Sequence, residues 1–357
     1  MKSLLKYEIL KILRKRLSIL ALTAVLLFSV LLSVTDYRDM HAYDGVSREG
    51  SGGAAVEIEK DLAAKYGGIL TDEKVRQILT DFKPGDLHGL NPKYYYQNAM
   101  QAAAFNYFVD LNGDWNGLSV SDVFGNEVIK AGYIGGWSAA SQSLAKVLLM
   151  LSMVLILLTA PVFSGEYGGM DNLIFTSRYG RTKDPLCKVA ASMIVSAAAT
   201  VFTVAFHLLT ARLLYGTEGL DCSILFAPAE LTEGYIPFNF TCGEVLQYQV
   251  FLSLMGAVSV TGMTLLLSAA CKNQMAAFIA SAALYILPVM LPIPETSPLY
   301  RIIVLMPLYD SQYISLLSVG QLKNGMLYAV WSVPAALLLL LLGSIAAPRI
   351  FARRQVS

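Results

Sequence analysis

Six long stretches without a charged side chain constrain what this chain of 357 residues can fold into. They contain between 19 and 27 residues each, and a helix of about 20 residues spans the roughly 30 Å hydrocarbon core of a bilayer. Because the backbone in lipid must satisfy its own hydrogen bonds, segments of this kind form helices. The sequence therefore predicts an all-α integral membrane protein with six transmembrane helices, over residues 17–35, 144–165, 188–214, 247–271, 273–293 and 324–348.

The composition argues against a soluble enzyme. Hydrophobic residues make up 55% of the chain and charged residues 15%, whereas soluble proteins carry about 25% charged residues. The four cysteines form no CxxC pair and the three histidines form no HExxH motif. No predicted span carries paired acids, a histidine pair or a GxSxG motif. We expect no catalytic residue, metal site or bound cofactor on this chain, and no nucleic-acid partner.

The basic residues are concentrated on one side of the predicted membrane. The N-terminal segment, the loop between the second and third spans, the turn at Lys272 and the tail 349–357 together hold 14 basic and four acidic residues, counting Lys188 with the loop. Segment 36–143 holds nine basic and 15 acidic residues. By the positive-inside rule, both termini are cytoplasmic and segment 36–143 lies outside a plasma membrane.

Residues 1–16 are predicted to form a cytoplasmic amphipathic helix. Leu5, Ile9 and Ile12 share one helical face, and most of the basic residues point away from it. Such a helix lies in the interface with its basic side on anionic lipid headgroups. A positively charged start to the first span is the simpler alternative.

Segment 36–143 is too long and too charged for a turn, and it predicts a small helical domain. Gly67-Gly68 supplies a helix stop, and Thr71 caps the next helix. A third, aromatic-rich helix is predicted from Pro92 through Phe108. We expect its aromatic rings to form the core of the domain, although a site for an apolar ligand is the alternative.

Two further outward segments have distinctive features. Loop 215–246 contains Cys222 and Cys242, which we expect to form a disulfide because the outer side of a plasma membrane is oxidising. Two free buried thiols are the alternative, since a sequence gives no distance between Cα atoms. Segment 294–323 has two short apolar pieces around Pro307, and neither can span the membrane. It predicts re-entrant helices or, alternatively, a peripheral amphipathic pair.

The cytoplasmic loop 166–187 carries a pattern that resembles a known family. The pattern consists of Phe163, Glu166, Gly169, the pair Gly180-Arg181, and Lys188 at the start of the third span. Together with the basic interfacial helix and the six spans, it resembles the permease subunits of type-2 ABC exporters, the bacterial drug, peptide and polysaccharide export class. The long segment 36–143 departs from compact members and is similar to permeases linked to antimicrobial-peptide resistance in Gram-positive bacteria.

The resemblance implies that transport and ATP hydrolysis belong to different chains. In related exporters a short helix in this loop, here about Tyr167 to Phe175, is the coupling helix that fits a groove on the ATPase. No GxxxxGK[ST] phosphate loop occurs in the sequence, so ATP and Mg²⁺ are expected on a separate ATPase subunit. A second permease, identical or similar, is expected to complete the exporter in a bacterial plasma membrane. The implied coupling residues are Glu166, Gly169, Gly180 and Arg181.

Three interpretations remain open at this point. Glu166 lies where the second span meets the interface, and we expect it to pair with Arg178 or Arg181. His207 is the ionisable side chain deep in a predicted span, which favours either a substrate path or a helix-helix hydrogen bond. A membrane sensor or immunity protein, which binds a peptide through segment 36–143 without transport, is the alternative function.

Overall fold

A computed structural model of the protein describes residues 2–82, 98–110, 114–167, 174–177, 179–227, 239–294, 296–310 and 328–353. The described residues are mostly helical. The helices are α1 (Lys2–Leu13), α2 (Arg16–Asp39), α3 (Gly53–Tyr66), α4 (Asp72–Asp81), α5 (Ala99–Phe108), α6 (Val120–Phe124), α7 (Gly135–Thr159), α8 (Pro161–Ser164), α9 (Lys183–Tyr215), α10 (Cys242–Ala270), α11 (Gln274–Met290), α12 (Pro298–Ile303), α13 (Pro307–Asp310) and α14 (Tyr328–Ala352). The strands are β1 (His41–Tyr43), β2 (Glu49–Ser51), β3 (Gly68–Ile69) and β4 (Lys130–Ala131).

Five helices are long and apolar enough to cross a membrane: α2, α7 continued by α8, α9, α10 and α14. The chain is therefore a multi-pass membrane protein by helix length and composition. The predicted span 273–293 corresponds to α11, which has 17 residues and a length of about 25 Å. This helix is apolar but shorter than the other five.

The long helices extend beyond the predicted spans. Helix α9 begins at Lys183 and α10 begins at Cys242, each five residues before its predicted start. At α10 the side chains of Thr241 and Glu244 form a capping box, which satisfies backbone N–H groups of the first turn. The extra turns carry polar residues, so apolarity alone did not reveal them.

Helices α10 and α14 pack against each other over an extended contact. A Cβ atom added at Gly343 would lie 2.0 Å from the carbonyl oxygen of Gly262, so only glycine permits this approach of the two backbones. The apolar core of the bundle joins residues of the long helices, including Val25, Leu144, Leu151 and Leu265. Helix α1 packs on α9 at one end of the bundle.

Residues 40–134, which we call the inserted domain, contain strands as well as helices. Two antiparallel pairs, β1 with β2 and β3 with β4, were not predicted. Gly52, with φ of +60°, sets the turn between β2 and α3, where the sequence is rich in glycine. The predicted helix boundaries are confirmed at Tyr66, where α3 ends, and at Thr71, whose side chain accepts a hydrogen bond from the N–H of Lys74.

The core of the inserted domain is formed by apolar side chains from several of its elements, including Ile58, Tyr66, Ile78, Phe108 and Ile129. Helix α5 supplies the C-terminal part of the predicted aromatic helix, and it begins after the cap residue Asn98. The N-terminal part of that prediction, residues 92–97, lies outside the described residues.

The described part of the segment between α11 and α14 contains the short helices α12 and α13. The second of the two predicted apolar pieces, at 313–317, lies outside the described residues. Helix α13 packs against α10 and α11, and Leu308 is buried in a cluster with Val260 and Tyr285. Part of the predicted segment 294–323 lies outside the described residues. The described part packs against the bundle, as a re-entrant helix would.

Candidate functional site

Five charged side chains meet where α1, the end of α8 and the start of α9 come together. We call them the ion cluster: Glu8, Lys11, Glu166, Asp184 and Lys188. The end of the bundle that holds the ion cluster also holds Arg181 and Arg349, and we call it the basic end. The loop predicted to couple the chain to an ATPase belongs to this end.

Lys188 lies at the centre of the ion cluster and is 1% exposed. Its Nζ atom lies 2.6 Å from Asp184 Oδ2, 3.2 Å from Glu166 Oε1 and 3.4 Å from Glu8 Oε1. Lys11 forms a second ion pair with Glu166. The cluster therefore joins the N-terminal helix to both ends of the loop 166–187.

The ion cluster contains three carboxylates and two ammonium groups. Lys15, between α1 and α2, lies within electrostatic range of Glu8 and Glu166 and brings a third positive charge. Removing one partner of a buried ion pair costs about 3–5 kcal/mol, because the other charge is left buried without compensation. Glu166 Oε2 is buried and has no hydrogen-bond partner among the described residues. These contacts hold α1 and the loop in one arrangement.

The sequence contains a signal for the ion cluster that the predictions did not use. Glu8 lies three residues after Leu5 and four before Ile12, so it sits on the apolar face of α1. A carboxylate on that face needs a partner when the helix packs. Asp184 and Lys188 are four residues apart, the spacing at which side chains on a helix meet.

Arg181 fastens the other side of the loop to the end of α14. Its Nη1 atom donates a hydrogen bond to the carbonyl oxygen of Ala352 at 2.9 Å, and its guanidinium lies 4.6 Å from the ring centre of Phe175. The ring of Phe351 lies 5.1 Å from the rings of both Phe163 and Phe175. A cation at a helix C-terminus is favourable because it meets unpaired carbonyl groups.

The structure corrects the expected pairing of Glu166 with Arg181. Glu166 pairs with lysines, and Arg181 binds a backbone carbonyl on another helix. The positions of Arg178 and Gly169 lie outside the described residues, as does most of the predicted coupling helix 167–175. Its described end is a single helical turn at 174–176. Both contacts depend on where α1 and α14 pack in the folded protein. A local sequence pattern carries no information on that packing.

Gly180 occupies a position that no other residue fits. A Cβ atom added there would lie 1.7 Å from the carbonyl oxygen of Ile174. The chain therefore turns back tightly on itself between Ile174 and Arg181. This turn places Arg181 against Phe175 and the end of α14.

His207 lies between three helices and is 0% exposed. Its Nε2 atom lies 2.9 Å from the carbonyl oxygen of Ala140 on α7, and its Nδ1 atom lies 2.9 Å from Ser29 Oγ on α2. A carbonyl only accepts, so Nε2 carries the proton, and the hydroxyl of Ser29 donates to Nδ1. Both ring nitrogens are used in helix-helix contacts. These contacts are the helix-helix hydrogen bonds of the second interpretation, and a role of His207 in a substrate path stays a prediction.

Cys222 and Cys242 lie side by side but are free thiols in the structure. The N–H of Cys242 donates to the carbonyl of Cys222 at 2.9 Å, next to an antiparallel bridge between Ser223 and Thr241. Residues that face each other in such a ladder have Cα atoms about 5.5 Å apart, within the range of a disulfide. The predicted bond is not formed in the structure, and oxidation of this neighbouring pair stays a prediction.

No group of three or more histidine, cysteine, aspartate or glutamate side chains suited to a metal ion occurs in the part of the chain that the structure describes. A scan against protein-family models and a search of curated proteins gave no match to this chain. The function is therefore inferred from the sequence pattern and from the contacts at the basic end.

Proposed function

We propose that this chain is the membrane-spanning permease subunit of an ABC exporter. It has six spans, with α11 as the fifth, and both termini in the cytoplasm of a bacterium. A separate ATPase subunit binds ATP and Mg²⁺ and docks on the loop 166–187. A second permease subunit, identical or similar, completes the substrate path. The cargo is a drug, an antimicrobial peptide or a lipid-like molecule.

The observation that carries the proposal is the way the loop is fixed at both sides. Glu166 and Lys188 tie it to α1 through the ion cluster, and Arg181 ties it to the end of α14. A loop held by buried ion pairs and a close backbone turn moves together with the helices that hold it. Such a loop suits the transmission of force from a partner to the bundle.

The mechanism that follows is alternating access. Closure of the two ATPases upon ATP binding pushes the loops of the two permeases. Because each loop is fixed to α1, α9 and α14, these helices tilt as rigid bodies. The substrate path between the two permeases is first open to the cytoplasm. The tilt closes it there and opens it to the outside.

Copurification tests the proposal. The tagged chain is purified in mild detergent from its own host membranes, and the complex is assayed for ATP hydrolysis and for a subunit with a phosphate loop. We expect such a subunit with the wild-type chain and its loss from the double variant Glu166→Gln, Arg181→Gln. The control variant Arg48→Gln, Glu57→Gln removes one charge of each sign from the inserted domain and is expected to retain it.

Two results would contradict the proposal. One is a wild-type complex without any nucleotide-hydrolysing subunit, which favours the sensor or immunity protein, with the inserted domain as the peptide-binding part. The other is accessibility labelling that places residue 181 outside the cell, which removes the loop from the ATPase. The elution profile of each variant on size exclusion checks that a loss of the partner does not arise from misfolding.

A further inference from the structure

The exposed side of α14 carries an apolar groove that ends in two arginines. The groove has a volume of about 330 Å³ and is lined by Leu338, Leu341, Leu342, Ile345, Ala346 and Ile350, followed by Arg349 and Arg353. Most of its apolar side chains are exposed. From this groove we infer a binding site for one anionic phospholipid, independent of the proposed transport function.

The length of the groove matches one leaflet. Leu338 and Arg349 are 11 residues apart on α14, which corresponds to about 16 Å along a helix. Half of the hydrocarbon core measures about 15 Å. An acyl chain that follows α14 from the membrane surface toward the midplane therefore contacts the apolar lining over most of the leaflet.

The charge at the end of the groove selects the headgroup. Arg349 lies in the last turn of α14, and Arg353 directly follows the helix and donates its backbone N–H to the carbonyl of Arg349. Both line the same groove, and α14 contains no acidic residue. Neither guanidinium forms an ion pair with a carboxylate among the described residues, unlike Lys188 in the ion cluster. Two neighbouring guanidinium groups at the membrane surface match a phospholipid whose phosphate charge is not compensated by a cation in its own headgroup.

The neighbouring contacts leave Arg349 and Arg353 on the exposed side of the helix end. Phe351 turns inward onto Phe163 and Phe175, and Arg181 caps the backbone of the last turn at Ala352. These contacts fix the end of α14 and so fix the direction of Arg349 and Arg353. A headgroup bound there lies at the basic end, next to the loop that Arg181 anchors.

Native mass spectrometry tests the site. The protein is reconstituted in nanodiscs that contain equal amounts of phosphatidylglycerol and phosphatidylethanolamine, and the lipids retained on release are counted. We expect one tightly retained phosphatidylglycerol per chain. The variant Arg349→Gln, Arg353→Gln is expected to retain it roughly 30-fold less, since each basic residue at a membrane surface strengthens binding of anionic lipid about fivefold. The matched control Arg48→Gln, Arg76→Gln removes the same charge from exposed positions of the inserted domain and should retain the lipid.

A second variant separates the groove from the charge. Ala346→Phe fills the groove, keeps both arginines and is expected to reduce retention as well. Equal retention of the two lipids by the wild-type protein, or unchanged retention in both groove variants, would overturn the site. A photo-cross-linker at position 342 that reacts with a second copy of the chain instead of phosphatidylglycerol would also overturn it, because it would make this face a protein interface.

Discussion

The inserted domain and the basic end each bury a glutamate, and they neutralise it in different ways. Glu59, on α3 of the inserted domain, is 8% exposed, and Glu166 at the basic end is 4% exposed. Glu59 accepts one hydrogen bond, from the N–H of Ala99 at 2.9 Å, and has no ion pair with a described residue. Glu166 instead faces the ammonium groups of Lys11 and Lys188.

The charge of Glu59 is removed by protonation, whereas the charge of Glu166 is compensated by lysines. Burial raises the pKa of Glu59 to about 7, although the hydrogen bond from Ala99 opposes the shift. Glu59 therefore takes up a proton near neutral pH, when the domain is folded. Glu166 is compensated by cations from two other helices, so its charge fixes their arrangement. The inserted domain is expected to respond to pH, and the ion cluster is expected to act as a fixed joint.

The largest expected effect is the loss of the central lysine of the ion cluster. Lys188→Met leaves Glu8, Glu166 and Asp184 close together without their shared cation. We expect a loss of about 3–5 kcal/mol in the free energy of unfolding, because uncompensated buried charge is costly. Reversible unfolding in mixed micelles, followed by circular dichroism, measures it.

Lys130→Met is the matched control for this variant. Lys130 pairs with Asp221, but both side chains are about half exposed or more. Water solvates the charge of Asp221 when the lysine is removed, so the free energy of unfolding should not change measurably. An equal shift in the two variants would mean that burial does not distinguish the cluster from a surface pair.

The pH response of Glu59 is the next effect in size. The folded-state pKa of about 7 lies above the ordinary value of 4.5, so the folded domain binds the proton more tightly than the unfolded chain. The free energy of unfolding is then highest below pH 4.5 and falls as the pH rises to 7. Between pH 5 and pH 8 we expect a fall of about 2–3 kcal/mol. Hydrogen exchange of α3 and α5 amides, corrected for the intrinsic pH dependence of exchange, measures it.

Two substitutions on α3 sharpen this test. Glu59→Gln keeps an acceptor for the N–H of Ala99 and has no proton to lose, so protection should vary little with pH. Glu57→Gln changes an exposed glutamate two residues away and should leave the wild-type response in place. A pH response that persists in Glu59→Gln would assign it to another group.

Sequence patterns located the five long helices, because apolar length is a local property, but they missed the polar first turns of α9 and α10. They also located the cap at Thr71 and the stop after Tyr66, where one or two residues decide the geometry. The strands of the inserted domain were missed, since each has only two or three residues and depends on its partner strand. The glycine-rich stretch before α3 was the available signal for a turn.

At the basic end the sequence located the loop but not its partners. The resemblance implied a coupling role for Gly180 and Arg181, which stays a prediction, and the structure places both at a close backbone turn. Of the two predicted partners of Glu166, Arg181 binds a carbonyl of α14 instead and Arg178 lies outside the described residues. The described partners of Glu166 come from α1 and α9. Contacts between residues 155 positions apart depend on how helices pack, and local spacing does not encode that. The local signs of the ion cluster were Glu8 on an apolar face and the four-residue spacing of Asp184 and Lys188.

The smallest expected effect is the coupling energy between Lys11 and Glu166, which reports how strongly α1 is joined to the loop. A double-mutant cycle of Lys11→Gln and Glu166→Gln should give a coupling energy of roughly 1–2 kcal/mol, because Lys11 is partly exposed while Glu166 is buried. The same cycle for Arg48→Gln and Asp61→Asn, an exposed pair at 2.6 Å in the inserted domain, should give no measurable coupling. If the first cycle were as weak as the second, Lys188 alone would hold Glu166, and α1 would be joined to the loop only through the contact of Glu8 with that lysine.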